Sequence, residues 1–430
     1  MKSFKIIPIL VIVSLLIPYL PSSMSLNGGS SGGGISILEG NTLAFGGGRY
    51  VEIRYGDVAI GAIYGNRNYS NHLIIYHRAL NSVKVLEKKE GGRVVKKSVV
   101  NEETLVYEDI SSIIEFKDVN NNSRFDAIVE NNNSYVLTYL DYPIGGVEIK
   151  KPIYRNPVKH FGKNNASVDL LFVLRNPIEN LRWSDLKGKM DEIKGERIAK
   201  KIAFRLNLSL SVSDSSSSLP VYSDSELCGF SEEDGRLVKS SVRMSMEING
   251  WKYRNNYSKV FLEKNSGFLR FYEERNTGES ADDFYVNIST SNPRYLHIEG
   301  KNVSKPHAVY GHELRFYLRG KRIGQIKGDK FYMLNGENKS YFDILTDDFE
   351  ESLSFMGKLY KGFSVSETVN YGHGNISYSE ESEISSFIAS GNRWVDATPF
   401  WASIAPFEVS AIIVISLVFV VKRSHSKRYP

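Results

Sequence analysis

The stretch IAFRLNLSLSV, residues 202–212, decides the fold class. Its apolar side chains occupy every second position: Ile202, Phe204, Leu206, Leu208, Leu210 and Val212. A period of two places successive side chains on opposite faces of an extended strand. The sequence therefore predicts a long strand with one buried and one solvated face, and it predicts that Asn207 points to solvent.

The same alternation recurs along much of the chain. It is clearest in Val242–Ile248, Phe284–Ile288 and Leu314–Leu318. Shorter apolar runs are Tyr50–Tyr55, Val58–Tyr64, His72–Tyr76, Val83–Lys88, Val94–Val100, Ile113–Phe116, Tyr135–Tyr139 and Val168–Leu174. Gly, Asn and Asp clusters separate them, and Glu90-Gly91-Gly92 predicts a hairpin turn. The best helical candidate, Ser184–Lys201, contains two glycines, which limit it to a turn or a short helix.

Many strands with few intervening helices predict an all-β chain. We expect an antiparallel β-sandwich ectodomain, built as two sandwich domains, and one C-terminal transmembrane helix. The predicted segments are a signal peptide at 1–25, a flexible Gly/Ser tail at 26–35, β domains at 36–180 and 181–398, a transmembrane helix at 401–421 and a cytoplasmic basic tail at 422–430. The Ser-rich segment 209–226 is either a linker or a long loop within one sandwich, in which case the strands at 202–212 and 237–248 would pair.

The charges are concentrated at the two ends. Six of the 54 Lys and Arg residues and one of the 49 acidic residues lie in the first 25 and last 32 positions, so the remainder carries 48 of each. A neutral body argues against nucleic acid as a partner, because nucleic-acid binding depends on a basic surface that displaces counterions.

The two ends predict a membrane topology. Lys2 and Lys5 precede the apolar stretch 6–20 and then small residues, the arrangement of a cleaved signal peptide. Residues 401–421 could cross a bilayer as a helix, and the basic residues that follow them predict a cytoplasmic C-terminus. We expect a single-pass protein of the cell membrane that contacts the lipid bilayer through this helix. A buried core helix is the alternative for 401–421, and an uncleaved anchor is the alternative for the N-terminus.

Two further features agree with an outward-facing chain. Cys228 is the sole cysteine, so no intrachain disulfide can form. Ten Asn-x-Ser/Thr sequons are candidate glycosylation sites: Asn68, Asn121, Asn132, Asn165, Asn207, Asn256, Asn287, Asn302, Asn338 and Asn375. The plan of the chain, with its signal, sequon-rich β ectodomain, terminal helix and basic tail, resembles that of archaeal cell-surface proteins. This resemblance implies a location at the cell surface and no particular activity.

One polar segment, residues 118–126, suggests a metal site. Its oxygen ligands at alternate positions would be Asp118, Asn120, Asn122, the carbonyl of Arg124, and Asp126. The segment resembles the calcium loops of secreted proteins, because Ca²⁺ accepts six to eight oxygen ligands. Ser123 replaces the usual glycine, and Val129 stands at position 12, so the segment is not an EF-hand. We expect a structural Ca²⁺; an Asx-rich hairpin is the alternative.

Other candidate sites are weaker. His307, His312 and Glu313 lack the spacing of a helical zinc motif, and the context of His373 predicts a turn. The acidic groups Glu232-Glu233-Asp234, Asp282-Asp283 and Asp347-Asp348 could supply the carboxylate pair of a glycosidase. Trp183, Trp251 and Trp394 could bind a sugar, although core packing is favoured. The expected function is a cell-surface binding or envelope structural module with an extracellular protein or glycan as partner; the alternative is a membrane-anchored, glycan-directed hydrolase.

Overall fold

A computed structural model gives the structure of the chain. It describes residues 34–42, 48–65, 73–88, 94–119, 128–131, 134–137, 141–149, 153–184, 186–187, 189–223, 226–271, 284–289, 296–299, 307–309, 313–318, 321–329, 331–340, 344–355 and 358–390. The predicted signal peptide, transmembrane helix and basic tail lie outside these residues. Among the residues described, no helix is long and apolar enough to cross a membrane.

The described residues are all-β, as the periodicity predicts. The first thirteen strands are β1 Ser36–Thr42, β2 Gly48–Tyr55, β3 Val58–Tyr64, β4 Leu73–Lys88, β5 Val94–Asp118, β6 Ile128–Asn131, β7 Ser134–Leu137, β8 Asp141–Glu148, β9 Ile153–Tyr154, β10 Val158–Phe161, β11 Asn165–Arg175, β12 Leu181–Ser184 and β13 Lys189–Glu192. The remaining strands are β14 Lys201–Ser223, β15 Glu226–Asn249, β16 Ser258–Phe271, β17 Phe284–Ser289, β18 Leu296–Glu299, β19 His307–Val309, β20 Glu313–Leu318, β21 Lys321–Gly328, β22 Phe331–Leu334, β23 Glu337–Ser340, β24 Ile344–Phe355, β25 Lys358–Tyr371 and β26 Ile376–Ala389.

Two series of antiparallel strands make up the large sheet. The first runs β1-β2-β3-β4-β5-β16-β25-β24-β19, with β8, β12 and β13 extending from β5. The second runs β10-β11-β14-β15-β26-β21-β20-β17-β18, with β9 beside β11 and β22-β23 beside β26. Short parallel pairings of β4 with β14 and β26 connect the series. Strands β6 and β7 form a separate two-stranded sheet.

One apolar cluster joins the two series. The inward side chains of β14 predicted from residues 202–212 are all buried in it, and Asn207 is exposed, as predicted. Rings from strands that do not pair meet in this cluster. The ring centroid of Tyr64 on β3 lies 5.1 Å from that of Phe172 on β11, and the centroid of Phe268 on β16 lies 5.0 Å from that of Phe316 on β20. Burial of these side chains supplies the main force holding the two series together.

The described residues of the Ser-rich segment 209–226 lie in the paired strands β14 and β15. β14 and β15 pair continuously from Lys201↔Asn249 to Ser223↔Glu226, with one bulge at Val221/Tyr222. The strands at 202–212 and 237–248 therefore pair, as the second alternative required, and the pairing continues through the serines. Short hydroxyl side chains fit an exposed strand face when partner strands satisfy the backbone hydrogen bonds.

The helical candidate Ser184–Lys201 contains no helix within its described residues. The hairpin of β12 and β13 and a single bridge between Ile178 and Arg197 replace it. Sheet pairing satisfies the same backbone groups, and the glycines weaken any helix.

The predicted division after residue 180 does not separate the strand pairings. β11 pairs with β14 along its whole length, and β5 pairs with β16 from Thr104↔Arg270 to Lys117↔Ser258. Residues Ser30–Asn392 accordingly form one compact unit. The two predicted β domains share one sheet, because strands distant in the chain supply each other's hydrogen bonds.

Candidate functional site: a basic groove on the outer sheet face

A groove of about 440 Å³ lies across strands β9, β11 and β14. We call it the basic groove, because five of its eight lining residues are cationic. The lining consists of Arg155, Leu171, Val173, Arg175, Asn176, Lys200, Lys201 and Arg205.

The alternation of two strands builds the floor and one wall. On β11 the even-numbered residues from Ala166 to Phe172 enter the core, so Leu171, Val173 and Arg175 face outward. Across the register, Arg175 lies opposite Lys201, and Leu171 lies opposite Arg205. The half-buried side chains of Leu171 and Val173 thus lie beside the cations Lys201 and Arg205 of the neighbouring strand β14.

The opposite wall comes from the short strand β9. β9 pairs with Phe172 and Val173, and the N–H of Arg155 donates to the carbonyl of Leu171 at 3.1 Å. Arg155 and Arg205 therefore flank Leu171 from opposite sides of β11.

The end of the groove is fixed by two left-handed backbone positions. Asn176, with φ of 49°, donates its N–H to the carbonyl of Lys200 at 3.1 Å, which brings the end of β11 to the start of β14. Gly250 has φ of 61°, and a Cβ there would lie 2.7 Å from Cγ and Cδ of Lys200. Glycine favours this left-handed conformation and leaves the space that the Lys200 side chain occupies.

Only part of the positive charge is neutralised. Lys201 Nζ donates to Glu247 at 2.9 Å, and Arg205 Nε lies 3.6 Å from the same carboxylate. The hydrogen bond from Lys201 lowers the pKa of Glu247, so this carboxyl stays ionised at neutral pH. Arg155, Arg175 and Lys200 form no salt bridge with any acid in the described part of the chain.

The chemistry of this groove favours binding over catalysis. Guanidinium and ammonium groups hold carboxylate, sulfate or phosphate oxygens, and Arg can do so through two parallel hydrogen bonds. The lining contains no carboxylate, imidazole, hydroxyl or thiol that could act as a base or nucleophile. Sequence reasoning missed these residues. The sequence shows that Lys201 and Arg205 lie at outward positions of a strand. It does not show that β9 and β11 bring Arg155 and Arg175 to the same face.

Of the predicted calcium segment 118–126, the structure describes only residues 118 and 119. Asn120, Asn122, Arg124 and Asp126 lie outside the described residues, so the predicted ligand set is not tested. Asp118 ends β5 fully buried, and its carboxylate accepts a hydrogen bond from the ammonium of Lys259 on β16. Among the residues described, no three His, Cys, Asp or Glu side chains come together as a metal site.

Five of the ten sequon asparagines have a described side chain, and all five are exposed. They are Asn165, Asn207, Asn256, Asn338 and Asn375. The side chain of Asn287 on β17 and the whole of Asn68, Asn121, Asn132 and Asn302 lie outside the description. Two of the exposed amides are engaged: Asn207 donates to Asp169 Oδ1 at 2.7 Å, and Asn375 Oδ1 accepts from the N–H of Gly250 at 2.8 Å.

The acidic group Glu232-Glu233-Asp234 lies in strand β15. Glu233 accepts a hydrogen bond from Lys84 Nζ at 2.5 Å, which lowers the pKa of this carboxyl. Asp347 and Asp348 lie in β24, whose side chains are not described at these positions, and Asp282 and Asp283 lie outside the description.

His373 and Trp251 have structural roles. His373 lies in the bend between β25 and β26, as the sequence predicts; its ring stacks on Tyr253, with centroids 3.8 Å apart. Trp251 packs in the core, the role that the sequence analysis favoured, and its Nε1–H donates to Glu115 at 3.3 Å. Trp183 is half-buried on β12. Trp394 and His312 lie outside the described residues.

A buried polar layer, which the sequence did not reveal, crosses the interior between β4, β15 and β26. Nδ1 of His77 lies 2.8 Å from Ser240 Oγ, and Nε2 lies 2.9 Å from Ser382 Oγ. Burial lowers the pKa of His77 to about 3, so the ring is neutral at physiological pH. One ring nitrogen donates and the other accepts, which ties one strand series to the other.

Beside it, buried Lys264 of β16 reaches two carboxylates. Its Nζ lies 2.7 Å from Glu380 Oε2 on β26 and 3.5 Å from Glu108 Oε2 on β5. The hydroxyl of Tyr378 donates to the same oxygen of Glu380 at 2.5 Å. Buried between the strand series, these groups act on the packing of the sheet and cannot reach a ligand in the basic groove.

Comparison with known proteins identifies no relative: no family model matches the chain, and no curated protein matches it.

Proposed function

We propose that this chain is a single-pass, membrane-anchored cell-surface protein whose β-sandwich ectodomain binds an anionic ligand in the basic groove. The groove carries the proposal, because Arg155, Arg175 and Lys200 present positive charge to solvent without an acid partner among the described residues. The sandwich assignment is supported by the ring contacts between strand series that do not pair.

The location is inferred from the ends of the chain. Residues 1–25 direct export, residues 401–421 anchor the chain, and the basic residues 422–430 remain in the cytoplasm. The exposed sequon asparagines agree with glycosylation of an outward-facing protein. The proposal includes a structural Ca²⁺ at residues 118–126.

The basic groove and Glu233 do not support the hydrolase alternative. The carboxylate of Glu233 pairs with Lys84, and the basic groove contains no acid. A glycosidase needs two carboxyl groups across one bond, and the groove supplies none.

Surface labelling tests the location. Cells that express the full chain are treated with a membrane-impermeant amine reagent, and a chain truncated after residue 398 serves as the control. We expect labelling of the full chain in the membrane fraction and release of the truncated chain into the medium. Recovery of unlabelled full-length chain from the cytosol would contradict the proposal.

Titration with pyrenetetrasulfonate, a compact fluorescent polyanion, tests the binding. We expect the full-length protein to bind the dye, and we expect Arg155→Gln/Arg175→Gln to weaken binding about tenfold, since two charge-assisted contacts are lost. Lys163→Gln/Lys239→Gln removes the same charge from two exposed sites, one just before β11 and one in the middle of β15, and should bind normally. Equal binding by both double variants would locate the anion elsewhere.

A further inference from the structure

We propose that the ligand of the basic groove is an acidic polysaccharide, a chain of sugar rings that bears carboxylate or sulfate groups. This inference rests on the proposed function, in which the groove takes an anion. Four observations narrow the class of ligand: the spacing of the cations, the apolar floor, the Arg content and the charge around the groove.

The spacing of the cations indicates an extended ligand. Arg155 and Arg205 flank Leu171 on the two neighbours of β11, so their backbones lie about 10 Å apart, twice the distance between strands. Arg175 lies four residues after Leu171 on β11, which is about 13 Å along the strand at the usual rise per residue. A single phosphate or carboxylate reaches only part of such a frame, whereas charged groups repeated along an oligosaccharide reach all of it.

The floor of the groove indicates a ligand with carbon surface between its charges. Leu171 and Val173 are half-buried and lie between Arg155 and the cations of β14. The C–H face of a sugar ring packs on such a floor, while its ionised substituents point toward the cations.

The Arg content suits carboxylate and sulfate. Arg155, Arg175 and Arg205 present planar guanidinium groups, which bind two oxygens of one anionic group at once. Lys200 adds a point charge at the end of the groove, and Lys201 beside it is paired with Glu247. A ligand with ionised groups on several rings satisfies both kinds of side chain.

The surroundings argue against nucleic acid. The outer face beyond the groove carries acids beside its bases, including Asp169 and Glu381, and Glu381 lies 3.8 Å from Arg243. Nucleic acid requires a broad basic surface that neutralises many phosphates. A groove of five cations on a face that also carries acids fits a short stretch of an acidic glycan.

Calorimetric titration of the full-length protein in detergent-free phosphatidylcholine nanodiscs tests the inference. The probes are oligogalacturonate and dextran sulfate, with neutral dextran fragments of equal length, inorganic phosphate, single-stranded DNA and phosphatidylglycerol vesicles as comparators. We expect at least one acidic polysaccharide to bind more tightly than every comparator. We expect Arg155→Gln/Arg175→Gln to weaken that binding at least about tenfold and Lys163→Gln/Lys239→Gln to change it less than about twofold. An unchanged urea midpoint shows that each variant is folded.

Several outcomes would overturn the inference. Equal binding of neutral dextran would show that charge is not recognised, and tighter binding of DNA, phosphate or vesicles would assign the groove to another ligand. Binding of pyrenetetrasulfonate without binding of either acidic polysaccharide would refute the glycan and leave the proposed anion site standing. If the dye also fails to bind, the proposed function fails with it.

Discussion

Nζ of Lys264 lies 2.7 Å from Oε2 of Glu380, and both side chains are buried between strands that do not pair with each other. β16 belongs to the first strand series and β26 to the second. A charged contact therefore crosses an interior that is otherwise largely apolar. Such a pair constrains how the two series meet, because a displaced strand would leave a charge buried away from its partner.

Removal of the lysine tests this constraint. We expect Lys264→Met to lower the free energy of unfolding by about 3 kcal/mol, because Glu108 and Glu380 would remain buried without that ammonium. Urea denaturation measures the change. Lys339→Met, which removes an exposed partner of Glu337, serves as the control and should cost less than about 1 kcal/mol. Equal losses in the two variants would show that the buried pair adds nothing.

His77 predicts a pH dependence of stability. Its pKa is about 3 in the folded chain and 6.5 in the reference state, so the unfolded chain takes up a proton first as the pH falls. The free energy of unfolding should decrease by about 1.4 kcal/mol per pH unit below pH 6.5 from this residue alone, until the pH reaches its folded pKa.

His77→Gln should remove that slope, and denaturation at pH 7 and pH 5 measures it. His160→Gln, at an exposed site beside Asp169, should keep it. A slope unchanged in His77→Gln would assign the pH dependence to other groups.

The calcium prediction can be tested through Asp118. If the segment 118–126 binds Ca²⁺, millimolar Ca²⁺ should raise the melting temperature of the native chain and leave that of Asp118→Asn unchanged. The comparison is made within each variant, because Asp118→Asn also loses the contact with Lys259. Lys259→Met should strengthen the calcium effect, since the ammonium no longer competes for the carboxylate. Identical melting with Ca²⁺ and with chelator in all three proteins would eliminate the site.

The asparagines of the sequons differ in the hydrogen bonds that their side chains form. Asn375 accepts the N–H of Gly250, whereas the exposed amide of Asn338 lies in the short strand β23. We expect Asn338→Gln to remove one glycan increment in intact mass while leaving stability unchanged. Asn375→Gln should lower the free energy of unfolding by about 1 kcal/mol, the value of a typical hydrogen bond. If the mass of Asn338→Gln differs from that of the native chain only by the substitution itself, this sequon is not glycosylated.

Local patterns determined the strands. The alternation in 202–212 predicted a buried face and an outward Asn207 without knowledge of any neighbour, because the side-chain period of a strand is set by its own backbone. The separate runs Val94–Val100 and Ile113–Phe116 proved to be parts of β5, since pairing with β4, β8 and β16 keeps the intervening polar residues extended. The serines of β14 stayed extended for the same reason.

The sequence by itself determined that this chain is built of strands and where its charge and sequons lie. Only the tertiary structure decided which strands meet, and hence that Arg155, Arg175 and Arg205 share a groove and that Lys264 reaches Glu380. Strand pairing depends on burial and backbone hydrogen bonds between segments more than 100 residues apart, such as β5 and β16, and no local spacing encodes that choice.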